Sequence, residues 1–161
     1  MGNKDATSRR GNSIILYAVL IVMVVAVVGI AFESKESKEV MYTAQDAALA
    51  GAQEGFRYLS EAEVKSEAGL IAAINQIVEA NGIPDSDGKG ANEKNDNVVA
   101  YYTGENGSRI AGCSEVGECG AVPAAAKGIE VVVINALDPF VARVLGINSS
   151  LGIAADAIAS S

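Results

Sequence analysis

The sequence contains no histidine and no tryptophan, three prolines, two cysteines and 5% aromatic residues. Without histidine, Ser-His-Asp and Cys-His nucleophile dyads cannot form, and most zinc chemistry goes with them. With so few aromatics and 17 glycines among 161 residues, any core must be built from aliphatic and small side chains. Basic residues are also scarce. Twelve Lys and Arg face 20 Asp and Glu, a net charge of −8, and such a chain repels phosphate. Nucleic acid is therefore not an expected partner. There is no phosphate-binding glycine loop, no heptad array and no repeat at a 20–50-residue period. The length corresponds to one domain.

What the chain does have is hydropathy, with a mean of +0.25 that is high for a soluble protein. Most of it comes from one run, SIILYAVLIVMVVAVVGIAF over 13–32, which carries no charge; 13 of its 20 residues are Ile, Leu, Val or Phe. As a helix, 20 residues extend roughly 30 Å, the thickness of a bilayer's hydrocarbon core. Their insertion energy is roughly −4 to −8 kcal/mol before the polar residues count. The run predicts a transmembrane helix with membrane lipid as its partner. It is too long for the apolar part of a signal peptide, and no A-x-A cleavage site follows it. Lys4, Arg9 and Arg10 precede it with Asp5, whereas nine basic and nineteen acidic residues follow. Positive charge stays in the cytoplasm. The expected layout is a cytoplasmic leader over 1–12, a span over 13–32, and an extracytoplasmic domain over 33–161. The expected location is the inner membrane, single-pass, with the carboxyl terminus outside.

Cys113 and Cys119, separated by five residues in AGCSEVGECGAVP, agree with an oxidising compartment. The spacing is wrong for a C-x-x-C redox motif, and no further ligands stand at metal-site intervals. A small loop disulfide is the reading that fits.

Beyond the apolar run, ESKESKEVMYTAQDAALAGAQEGFRYL has no proline and continues the helix to about residue 59. Ala44, Ala48 and Gly51 fall on one side at i, i+4, i+7 spacing, a seam that lets another helix or a sheet come close. Ser60 and Glu63 have capping-box spacing and predict the start of a second helix. Leu70, Ile71, Ile74, Ile77 and Val78 give that helix its apolar stripe, and Asn81-Gly82 with Pro84 end it. The following polar stretch places Asp85, Asp87, Gly90 and Asp96 at positions 1, 3, 6 and 12 of an EF-hand loop. Lys89 stands at the fifth position and the terminal Glu is missing, so a solvated loop is expected and not a calcium site. Strands are predicted at 98–103 and, largely buried, at 129–134. Asp138-Pro139 opens a short helix ending at Gly146, and the alternation from Leu151 suggests a third strand, with helix as the competing reading because Ala is frequent. The fold class expected is α+β: a long N-terminal transmembrane helix continuing into a small extracytoplasmic helix-plus-antiparallel-sheet domain.

This layout is shared by pilins and pseudopilins. Gln45-Asp46-Ala47-Ala48-Leu49-Ala50-Gly51-Ala52 resembles the small-residue motif of TadG-like and TadE-like proteins of Tad (Flp) pilus systems. Ile77-Val78-Glu79-Ala80-Asn81-Gly82 is similar to the helix end that follows it in that family. The run from Ile129 to Ile134, Asp138-Pro139-Phe140, Leu145-Gly146-Ile147 and the final Ala-rich strand also resemble the family's order. The resemblance covers most of 9–160, without the central loop and the cysteine region. It implies a structural component or assembly factor, similar to a minor pilin, with other pilus subunits, assembly proteins or copies of itself as partners in a surface filament. The alternative is a single-pass sensor or scaffold with a partner-binding outer domain. No enzyme activity, cofactor, metal or small-molecule substrate is expected, since Lys65 and Lys127 have no evident serine partner. The large von Willebrand-type domain of some family members has no counterpart here.

Arg9-Arg10-Gly11-Asn12 resembles a prepilin peptidase site, with the cut between Gly11 and Asn12. Pilins of that kind place Glu five residues beyond the cut, where this chain has Leu16. Cleavage and an uncleaved leader both remain open. The intact mass of the native protein separates them: processing leaves Asn12 as the first residue, and retention leaves the leader in place.

Overall fold

The computed structural model describes residues 5–85, 95–137 and 151–160. Their elements are helix α1 (Asp5–Glu61), helix α2 (Glu67–Ala80) and strands β1 (Val98–Thr103), β2 (Gly128–Leu137) and β3 (Leu151–Ser160). The chain divides into two compact units. One contains α1 as far as Ser37, and the other contains 38–137 and 151–161.

In the first unit, α1 carries the apolar run. Its described apolar side chains lie between positions 17 and 28, each 47–67% exposed. Among the described residues no helix is long and apolar enough to cross a membrane. The transmembrane span over 13–32 is therefore corrected, and with it the single-pass inner-membrane location. The α+β architecture is observed; its membrane-spanning component is not. Gly11 and Asn12 fall within the helical backbone of α1, and their side chains lie outside the described ones.

The second unit is built on residues 38–61 of α1. Ala44, Ala47, Ala48 and Ala52 are fully buried, Gly51 and Gly55 are buried with them, and Leu59 closes the series. This spacing of three and four residues keeps one side of the helix inward. A Cβ added at Gly51 would meet Val78 Cγ2 at 2.8 Å and Val131 Cγ1 at 3.3 Å; one at Gly55 would meet Ile74 and Ile129 at 3.1–3.2 Å. The small-residue seam thus touches both α2 and the sheet. The contacts also set the direction of α2. Gly82, just past its end, lies near Thr43, while Gly69, in its first turn, lies against the Tyr58 hydroxyl. The two helices run antiparallel.

The turn between them differs in its cap from the sequence expectation. Ser60 does not cap α2; its Oγ donates back to the Phe56 carbonyl inside α1 at 2.9 Å. The cap is Ser66, extended at φ −129°, whose Oγ accepts from Gly69 N at 3.1 Å. Tyr58 Oη donates to the Val64 carbonyl at 3.3 Å and holds the connection in place. Ser60 follows helical residues with no break and finds a carbonyl one turn back, so its hydroxyl is used there. The other end matches the expectation. Asn81 caps α2, Gly82 takes φ +90°, and buried Ile83 donates its N–H to the Val78 carbonyl.

The strands form one antiparallel sheet in the order β1-β2-β3, with β2 central. The register places Tyr102 beside Ile129, Ala100 beside Val131 beside Ala157, and Val98 beside Val133 beside Ala155. This inner face meets the helices. β2 is half-buried, not buried throughout: Ile129, Val131 and Val133 point inward, while Ile134 on the other face is 38% exposed. In β3 the alternation is complete, with Ala155 buried and Ile158 exposed. Positions 86–94 of the expected solvated loop, Asp87 and Gly90 among them, and the expected short helix from Asp138 to Gly146 lie outside the described residues.

The geometry at Gly51 yields a test. Alanine there would gain about 1 kcal/mol of helix propensity but must displace Val78. Leucine cannot be accommodated without separating α1 from α2 and β2. Gly51→Leu is expected to lower unfolding stability by about 2–3 kcal/mol in denaturant titrations. An unchanged midpoint would show that the close approach is not needed.

Candidate functional site

Two features of the second unit bring distant residues together, and both were invisible to local patterning. The first centres on Glu67 in the first turn of α2. It is 8% exposed and its Oε1 accepts from Tyr102 Oη at 3.1 Å and from Gly117 N at 3.2 Å. Tyr102 is fully buried on β1. Burial first, and the Glu67 charge second, push its phenol well above the ordinary range, so it is a standing donor. The partners are 35 and 50 residues away from Glu67 in sequence. Loss of either donor would leave a buried carboxylate under-satisfied, at a cost of about 1–3 kcal/mol.

The second feature is on the outer face of the sheet. Arg109 Nε and Nη2 donate to Glu130 Oε2 and Oε1 at 2.6 and 2.7 Å, a two-pronged pair. The same guanidinium lies 3.5 Å from the centre of the Tyr101 ring. Hydrogen bonding from Arg109 holds the Glu130 carboxyl below its ordinary 4.5, and Glu130 in turn raises Arg109.

Together these contacts fix the 24-residue connection from β1 to β2. Cys113 and Cys119 are joined, as the sequence predicts. The segment 110–116 runs along β1: Tyr102 N donates to Ser114 O at 2.6 Å, Val116 N to Ala100 O at 2.9 Å, and Ile110 N to Tyr102 O at 3.1 Å. Val116 is buried beneath it. Gly117 takes φ +93°, and a Cβ there would strike Ile71 at 2.9 Å, so the loop seats directly on α2. The free edge of β1 is thereby covered and closed to other strands.

Ala44, Ala48 and Gly51, expected as a seam that lets another helix or a sheet come close, lie on the inward side of α1. They are buried within this chain, so the seam is not an exposed docking surface. The exposed surface of α1 lies elsewhere. Within the first unit it is the apolar series at 17–28, and within the second it is the side opposite the seam, carrying Met41, Tyr42 and Leu49.

Concavities lined by described residues occur in the second unit. One, about 20 Å³, is bounded by Ile74, Asn75, Asn95 and Val98 and has room for a single water. Another, about 250 Å³, lies between Leu59, Lys65 and the 121–127 segment, with Lys127 on its rim. No group of three metal-ligating side chains gathers among the described residues. Comparison with protein-family models, curated proteins and solved structures finds no match to this chain.

The Arg109–Glu130 pair makes a pH prediction. Because the folded carboxyl titrates below its unfolded value, its contribution is complete above the unfolded pKa and is lost as pH falls through the folded one. Arg109 is 46% exposed, so solvent screening holds that contribution to about 1 kcal/mol. Glu130→Gln is expected to unfold at lower denaturant than the wild type at pH 7. The two curves should converge as pH falls through the lowered titration of the folded Glu130 carboxyl. A gap independent of pH would assign the loss to packing.

Proposed function

We propose that this protein is a structural subunit or assembly factor of a Tad-like, type IV-like surface filament, joined to its neighbours through the apolar part of α1. The observation that carries this reading is the exposure of α1 between positions 17 and 28. Seven consecutive residues, 19–25, are large, apolar and about half or more exposed. At 100° per residue they cover every direction around the helix. A cylinder apolar on all sides is not satisfied by one flat partner; it needs apolar neighbours all round. Burying each such side chain stabilises association by about 1.5–3 kcal/mol. Several sister helices around a common axis supply that environment. The order of sequence motifs resembling Tad pilus proteins supports the same reading, as does the disulfide-closed α+β unit on the same chain.

The test is self-association of the full chain in detergent-free buffer, followed by sedimentation and negative-stain microscopy. The wild type is expected to form elongated multimers. Val22→Glu with Val25→Glu is expected to abolish them while the thermal unfolding of the second unit stays unchanged. A wild type that remains monomeric, or that is drawn into lipid vesicles instead of associating with itself, overturns the reading.

A further inference from the structure

The 250 Å³ concavity has two lysines in its lining. Among the other described basic residues of the second unit, Arg57 is paired with Glu54 and Glu61, Arg109 with Glu130, and Lys38 has no ion-pair partner among the described residues. Lys65 and Lys127 are exposed, have no ion-pair partner among the described residues, and both line this one cleft. Its remaining walls, Leu59, Val122, Pro123 and Ala126, are apolar. In a chain of net charge −8, two ammonium groups without an ion-pair partner among the described residues, beside apolar side chains, favour a carboxylate.

The outward side of α1 in the same unit carries that pattern. Tyr42, Asp46 and Leu49 follow one another at i, i+4, i+7 and stand on one side of the helix. Tyr42 is 62% and Leu49 48% exposed, and Asp46 is exposed between them with no described partner. We infer that the cleft receives the Tyr42–Asp46–Leu49 stripe of a second copy, with Asp46 between Lys65 and Lys127 and the two apolar side chains against its walls.

The consequence is geometric. Cleft and stripe are different surfaces of the same unit, so the contact is head-to-tail. Asp46 and Leu59 are about 20 Å apart along the helix at 1.5 Å per residue. A head-to-tail contact closes into a ring if its rotation allows and otherwise propagates as an open, helical array. The inference rests on the self-association proposed above and adds its direction and its specificity. Exposed charge pairs are weak singly, and here three charges meet beside apolar surface at every joint.

Charge reversal in the full chain tests it. Asp46→Lys alone, and Lys65→Asp with Lys127→Asp, are each expected to raise the critical concentration for multimer formation about tenfold. Combining all three reversals should bring it back near the wild-type value. All these positions are exposed, and unchanged thermal unfolding excludes misfolding as the cause. If the wild type multimerises and the reversals leave its critical concentration unchanged, or if the combined variant is not rescued, the cleft is not the joint, and self-association through α1 stands. If the wild type never multimerises, both readings fall.

Discussion

The structure depends on how closely α1 can approach what it packs on. Alanines and glycines from Ala44 to Gly55 contribute little apolar area of their own. Their value is proximity: with no side chain beyond Cβ, the helix backbone comes down onto Ile74 and Val78 of α2 and onto Ile129 and Val131 of β2. Those large aliphatics, with Leu70, Val133 and Tyr102, supply the buried area. The small residues and the large ones sit on opposite sides of one interface, which is how a core with no tryptophan and few aromatics reaches close packing.

The polar contacts then choose among the arrangements that packing allows. A buried carboxylate at the start of α2 can be satisfied only if β1 presents Tyr102 and the cysteine loop presents the Gly117 amide at the same place. Glu67 therefore fixes three segments relative to one another. The disulfide shortens the loop, its backbone bonds to β1 cover the sheet edge, and Arg109 reaches across the outer face to Glu130. Association through that edge is closed off. Under the proposed filament reading, contact with other copies falls to α1 and to the lysine-lined cleft. Each has exposed groups without partners among the described residues.

Much of this was legible locally. Helical spacing located the stripe of α2, Asn81-Gly82 located its end, and period-two alternation located β1 and β3. The spacing of Cys113 and Cys119 suggested their bond. Ser60 misled because capping-box spacing does not reveal whether the backbone has already left the helix; here α1 runs to Glu61 and Ser66 takes the cap. The apolar run misled in a different way. Hydropathy marks it as a transmembrane span, whereas among the described residues no helix is long and apolar enough to cross a membrane.

The sequence by itself determined the α+β class, the positions of the elements and the small-residue face of α1, because each depends on neighbours within one or two turns of the chain. Only the tertiary structure decided what that face touches, that Glu67 meets Tyr102 and Gly117, that Arg109 meets Glu130, and that Lys65 and Lys127 share a cleft. Those pairings join residues that are tens of positions apart. Their energies depend on burial and distance, and neither exists until the chain has folded back on itself.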